Sequence, residues 1–180
     1  MYLKTAFLFS MVVSAIALPT SSPKTVKRAA ILDVQDYSDF QISDGVAGNA
    51  LAEVQAKFPI DESDLANVDP EDLAIIKAAR QTAENAETEA GGFNEAIEAA
   101  GGTKTAAGKV LQVGKIKNKV LKLKLFSLAL QIDQAQGKDT ADKLAETLTK
   151  LNNNIKQDEA AAGQPSQSVD FQGSSQPKKL

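Results

Sequence analysis

Between Ser43 and Ile155 apolar residues return every three or four positions in five successive stretches, the spacing that aligns side chains along one side of an α-helix. In "SDGVAGNALAEVQAKFP" the stripe is Val46, Ala47, Ala50, Leu51, Val54 and Phe58, with Ser43 or Asp44 able to cap and Pro59 forbidding continuation. Asp69-Pro70-Glu71-Asp72 then joins a capping carboxylate, a proline suited to the first helical position and two acids that complement the helix dipole. A second helix starts there, with Leu73, Ile76, Ala79 and Ala83 on one face, and "DESDLANVD" before it suits a single turn. Gly91-Gly92 and Gly101-Gly102 predict tight turns on either side of a short helix through Phe93, Ile97 and Ala100.

The longest pattern predicts one helix from about Ala106 to Gln136. Within it "KVLQVGKIKNKVLKLKLFSLALQI", Lys109 to Ile132, holds six lysines and no acid. At about 100° per residue, Ile116, Val120, Leu123 and Leu130 fall on one side and Leu121, Leu125, Leu128 and Ile132 on the other. Lys104, Lys115, Lys119 and Lys122 line one intervening strip, Lys117 and Lys124 the opposite one. A helix apolar on two sides belongs in the middle of a bundle, with lysine stems over apolar surface and their ammonium heads in water. Gly137-Lys138-Asp139 turns the chain into a last helix striped by Ala141, Leu144, Ala145, Leu148, Leu151 and Ile155, expected to fold back as an antiparallel partner.

The expected fold is therefore all-α, a helical bundle of about four to five helices around a long central helix, spanning residues 29–160. "ILDVQDYSDFQIS", with Tyr37, Phe40 and Ile42, suits a short strand or an extended arm across it. Residues 161–180 are rich in Gln, Ser, Gly and Pro and predict a disordered tail, in which Val169 to Phe171 is a candidate docking motif.

The N-terminus changes the picture of compartment. One Lys precedes about a dozen mostly apolar residues that close on Ala15-Ile16-Ala17, the pattern of a secretory signal peptide over residues 1–17, cut after Ala17. Its apolar run is shorter than the roughly 20 residues a spanning helix needs, so no stable membrane insertion is expected. Residues 18–28 then form a Pro/Ser/Lys strip ending in Lys27-Arg28, a dibasic pair suited to a protease with carboxylate-lined subsites, and read as a pro-segment cut after Arg28. Removing residues 1–28 removes four of the 20 Lys and Arg and none of the 23 acids, which leaves a net charge of −7. That charge is uneven: Asp33 to Glu98 carries −13 and Ala99 to Leu180 carries +6, so the acidic front half is expected to steer onto the basic helix.

Candidate chemistry is sparse. The chain has no His and no Cys, so the common general base, thiol nucleophile and zinc ligands are missing, and neither an enzyme nor a cofactor is expected. "GGTKTAAGKV" superficially matches a phosphate loop, but five residues separate Gly102 from Gly108, and Val110 replaces the magnesium-binding hydroxyl. The acids of "DVQDYSDFQISDG" recur every third residue rather than at the alternate spacing of a calcium loop. A nucleic-acid partner is not expected, because the lysines split across two strips and Phe126 is the one aromatic residue among them.

"FQISDGVAGNALAEVQAKFP", "LQVGKIKNKVLKLKL" and "NNNIKQDEAAAG" resemble the uncharacterised small secreted proteins of filamentous ascomycete fungi, and Lys27-Arg28 is similar to their processing sites. The resemblance implies an extracellular, effector-like role and supplies no active site. The expected function is a secreted, non-enzymatic interaction protein with a protein or cell-surface partner, acting at a host or cell-wall surface. The alternative is an extracellular carrier of lipid or another apolar ligand, in which the aliphatic surplus of Val110 to Ile132 lines a cavity.

Overall fold

The computed structural model describes residues 28–178. After an extended arm, the elements run α1 (Tyr37–Phe40), β1 (Gly45–Val46), α2 (Ala50–Lys57), a 3-10 turn (Leu65–Asn67), α3 (Pro70–Thr88), α4 (Phe93–Ala99), α5 (Ala106–Ala135), α6 (Ala141–Ala160) and β2 (Pro165–Ser166). The fold is mostly helical, as expected, and α5 is its hub: α2, α3, α4 and α6 all pack on it.

Both apolar sides of α5 are used. Val120 and Leu123 from one side and Leu121, Leu125, Leu128 and Ile132 from the other are buried, each worth about 1.5–3 kcal/mol in apolar area removed from water. α3 meets them with Ile76 and with the small Ala79 and Ala83. Asp69 caps α3 by accepting from the Glu71 N–H at 2.8 Å, with Pro70 as the first helical residue. Thr105 caps α5, its hydroxyl accepting from the Gly108 N–H at 3.0 Å.

A buried bolt ties the arm to two helices. The Tyr37 hydroxyl donates to Asn118 Oδ1 at 2.9 Å, and Asn118 Nδ2 donates to the Ala83 carbonyl at 2.8 Å. Burial holds the Tyr37 phenol neutral, pushing its pKa up to about 12. Around it Phe40 and Phe171 stand edge-on to the Tyr37 ring at 5.5 and 5.9 Å.

Three expectations are corrected. The stretch from Ser43 does not enter helix at once: Gly45 and Gly48 take left-handed φ values of 92° and 114°, β1 intervenes with Val46 exposed, and α2 begins at Ala50. Neither Ser43 nor Asp44 caps it. Asp158, buried on α6, does so from 108 residues away, Oδ2 accepting from the Ala50 N–H at 2.9 Å. Lys117, expected to hold its ammonium in water, is fully buried.

The third correction concerns residues 161–180, expected as a disordered tail. Residues 161–178 form an ordered strap. β2 pairs antiparallel with β1, Gly45 opposite Ser166 and Val46 opposite Pro165. Further on, the Tyr37 N–H donates to the Gly173 carbonyl at 2.7 Å, the Thr82 hydroxyl to the Ser174 carbonyl at 2.7 Å, and the Ser175 N–H to the Gln35 carbonyl at 2.8 Å. Val169 and Phe171 pack against the core. A polar segment stays ordered here because its backbone groups are satisfied by the arm and α3, and two apolar anchors suffice once that scaffold exists.

Candidate functional site

α3 and α6 flank α5 on opposite sides and leave an open groove between them, floored by α5. Phe126 sits half-buried at its centre, beside Leu123, Ala129 and Leu130. Lys77, Arg80 and Glu84 form the α3 wall, Lys143, Thr147 and Lys150 the α6 wall. Two adjoining clefts of about 260 Å³ each share Arg80 and Phe126, so the groove is continuous. From Lys122 to Asp133 it follows α5 for about 16 Å.

Its electrostatics differ from those of the whole chain. Lys122 lies 2.5 Å and Lys119 3.3 Å from Glu87 of α3, with Lys115 at 4.0 Å. Lys77 and Lys138 share Asp133 at 2.8 and 2.6 Å, Arg80 pairs with Glu84 at 2.9 Å, and Lys143 and Lys150 share Glu146 at 2.8 and 2.5 Å. Of these, Lys77, Arg80, Lys122, Lys143 and Lys150 line the groove against Glu84 and Asp133, a surplus of three positive charges on a chain whose net charge beyond residue 28 is −7. Protonation follows that surplus. Burial works against the charged form of Glu87, but the hydrogen bond and charge of Lys122, with Lys119, hold it below the ordinary carboxylate range. Burial and the neighbouring Lys119 and Lys122 push Lys115 down against the pull of Glu87. Hydrogen bonds from Lys143 and Lys150 lower Glu146 to about 2.

Arg80 is the pivot of the groove. Its guanidinium lies 4.5 Å from the Phe126 ring centre, a cation–π contact, and its buried Nε finds no acceptor among the described residues. The arrangement offers a polar, cation-rimmed trough with an apolar floor. It suits an anionic ligand that also carries an apolar group, and it places no nucleophile beside a base.

The family described as a domain of unknown function, DUF8454, matches residues 32–170. The chain belongs to this family. No curated protein and no solved structure matches the chain. The DUF8454 match contains every groove residue and runs beyond α6 to Asp170, so it includes β2 and most of the strap.

Of the processing residues expected in this DUF8454 chain, Ala17 and Lys27 lie outside the described residues. Arg28 is described and engaged: its guanidinium lies 2.8 Å from Asp64 and 3.3 Å from Asp61. The two lysine strips of α5 separate as expected. Lys115, Lys119 and Lys122 gather on Glu87, with Lys122 lining the groove, while Lys117 and Lys124 turn the other way to Glu53 at 2.9 Å and Glu62 at 2.7 Å; Lys104, expected on the first strip, lies before the start of α5. Among the acids of "DVQDYSDFQISDG", Asp44 ties the loop to the strap: it accepts from the Ser168 N–H at 2.8 Å and from Gln41 Nε2 at 2.7 Å. The aliphatic surplus of Val110 to Ile132 lies in the core between helices. Sequence periodicity could not assemble the groove, because Arg80, Phe126, Lys143 and Lys150 come from three helices and share no stripe. No helix among the described residues is long and apolar enough to cross a membrane.

Proposed function

We propose that the protein is an exported, non-enzymatic α-helical interaction protein that docks an acidic polypeptide segment in the α3/α5/α6 groove, at a host or cell-wall surface. The carrying observation is the local reversal of charge, a surplus of three cations lining the groove at Phe126 on an otherwise acidic chain. Complementary potentials speed encounter and fix register, and an aromatic floor with an arginine is the composition that concentrates binding energy. Carboxylates of the partner would compete with Glu84 for the Arg80 guanidinium and with Asp133 and Glu146 for the groove lysines, while an apolar side chain would rest on Leu123, Phe126 and Leu130. The signal-peptide pattern and the resemblance to small secreted fungal proteins support export, and the absence of His and Cys supports a binding role.

Fluorescently labelled poly-L-glutamate is a direct probe. Its anisotropy should rise with added protein and fall back with salt, because phosphate-free ion pairing of this kind is screened within about 8 Å at physiological ionic strength. Lys122→Glu combined with Lys143→Glu should weaken binding at least about tenfold, if two rim charges contribute roughly 0.7 kcal/mol each. Equal binding by the double variant, or preference for a sulfated glycan over polyglutamate, would reject an acidic polypeptide as the occupant. Catalytic turnover of a substrate by the purified protein would reject the non-enzymatic role.

A further inference from the structure

The arm enters the described chain held at two points. At the first, Arg28 reaches Asp61 and Asp64 with its guanidinium, and its backbone N–H donates to the Asn67 carbonyl at 3.0 Å. At the second, the N–H groups of Ile31 and Leu32 donate to the Asp72 carboxylate at 3.0 and 2.8 Å. Between them Ala29 and Ala30 are exposed and without regular structure. Ala29 lines a mostly apolar notch of about 20 Å³ with Ile31, Ile60 and Val68, rimmed by Asp61, Asp69 and Asp72, room for one water-sized group. Among the described residues, Arg28 is the one cation paired with any of Asp61, Asp64, Asp69 and Asp72.

We propose that this corner exchanges one cation for another on maturation: the guanidinium of Arg28 on Asp61 and Asp64 before the Arg28–Ala29 bond is cut, the ammonium of Ala29 beside Asp61 afterwards. A protease that cuts after a dibasic pair must draw the Arg28 side chain into its own acidic pocket. Asp61 and Asp64 hold that side chain in cis, so the folded chain restrains its own cleavage. Hydrolysis then adds one water across the peptide bond, leaving a carboxylate on Arg28 and an amine on Ala29 that is largely protonated at neutral pH, since α-amino groups titrate at about 7.7–8.0. Arg28 departs with the segment before it, and Asp61 and Asp64 lose their cation together. The new ammonium forms at the notch that Ala29 lines. Ile31 stays on Asp72, and two residues of chain reach at most about 7 Å, so Ala29 cannot leave the notch's neighbourhood while that anchor holds. The cut therefore exchanges one cation for another and locks the new N-terminus onto the start of α3. This inference rests on the cut after Arg28 and is independent of the groove.

The test treats the full chain with a serine endoprotease specific for Lys-Arg pairs and follows the Arg28–Ala29 cut by intact mass. The wild-type chain should be cut about tenfold more slowly than a synthetic peptide of residues 22–34, which lacks the notch. Asp61→Asn with Asp64→Asn should speed the cut of the full chain about fivefold, the modest effect of losing an exposed ion pair. In the cut product, pH-dependent acetylation of the Ala29 amine should show a midpoint at least about one pH unit above that of the cut peptide, as nearby carboxylates favour the charged form. Equal cleavage rates for chain and peptide would overturn the restraint, and equal acetylation midpoints would overturn the exchange. Both comparisons use the wild-type chain, so they stand even if the double variant folds poorly.

Discussion

Lys117 and Glu53 meet at 2.9 Å across the packed side of α5, and the lysine has no exposed surface. Its ammonium also donates to the carbonyls of Asp44 and Val46, both at 3.0 Å, so its three protons close the loop that carries β1. A buried lysine is tolerable here because every donor has an acceptor. Lys117→Met keeps the stem and removes the donors, leaving two carbonyls without partners. It should cost about 2–4 kcal/mol in urea denaturation. Glu53→Gln, at a partly exposed group, should cost below about 1 kcal/mol. Similar small losses for both would mean that the ammonium is not the clasp of this loop.

Gly114 lies within α5, where alanine is ordinarily preferred by about 1 kcal/mol. A Cβ there would stand 2.0 Å from the Gln167 carbonyl oxygen and 3.2 Å from that of Ser43. The glycine thus lets the strap cross the helix backbone to backbone. Gly114→Ala should destabilise by about 1–3 kcal/mol, reversing the helix preference, and should raise amide exchange across residues 164–176. A stabilised variant with an undisturbed strap would show that the crossing has slack.

Much of the helical frame was legible because it rests on local rules. Asp69-Pro70 placed the start of α3 to the residue, and the two-sided pattern of α5 identified the hub. What escaped depends on partners distant in sequence. Val46 matched a helical stripe, yet Pro165 recruits it into a two-residue sheet. The strap looked unable to fold because composition counts the surface a segment can bury, not the carbonyls and amides that a preformed arm offers it. Lys117 looked like a snorkelling surface lysine because its acceptors are backbone carbonyls, which leave no mark in the sequence. The groove cations were each visible, but their convergence is a property of three packed helices.

Asp158 shows the same long reach in a form that can be measured. It is buried on α6 and caps α2 through the Ala50 N–H, in place of Asn49, whose side chain makes no capping bond. Asp158→Ala should cost about 1–2 kcal/mol, as loss of a good N-cap does, and the loss should appear as early exchange of the first α2 amides. Asn49→Ala should change stability by less than about 0.5 kcal/mol. The reverse order would return the cap to the local residue.

Glu87 gives the groove its pH dependence. Burial opposes its charged form, yet Lys122 and Lys119 hold its pKa below the unfolded value of about 4.3. A carboxylate depressed in the folded state binds fewer protons there than in the unfolded chain, so its stabilisation is full above the unfolded pKa and is lost as pH falls through the folded one. Glu87→Gln should therefore cost about 1–3 kcal/mol at pH 7, where it leaves three lysines facing one another without their shared acid. The difference between wild type and variant should shrink as pH falls below about 4. Urea unfolding of both proteins at pH 7, 5 and 3 checks this. A gap that stays constant, or widens in acid, would mean that the carboxylate does not carry the ion cluster.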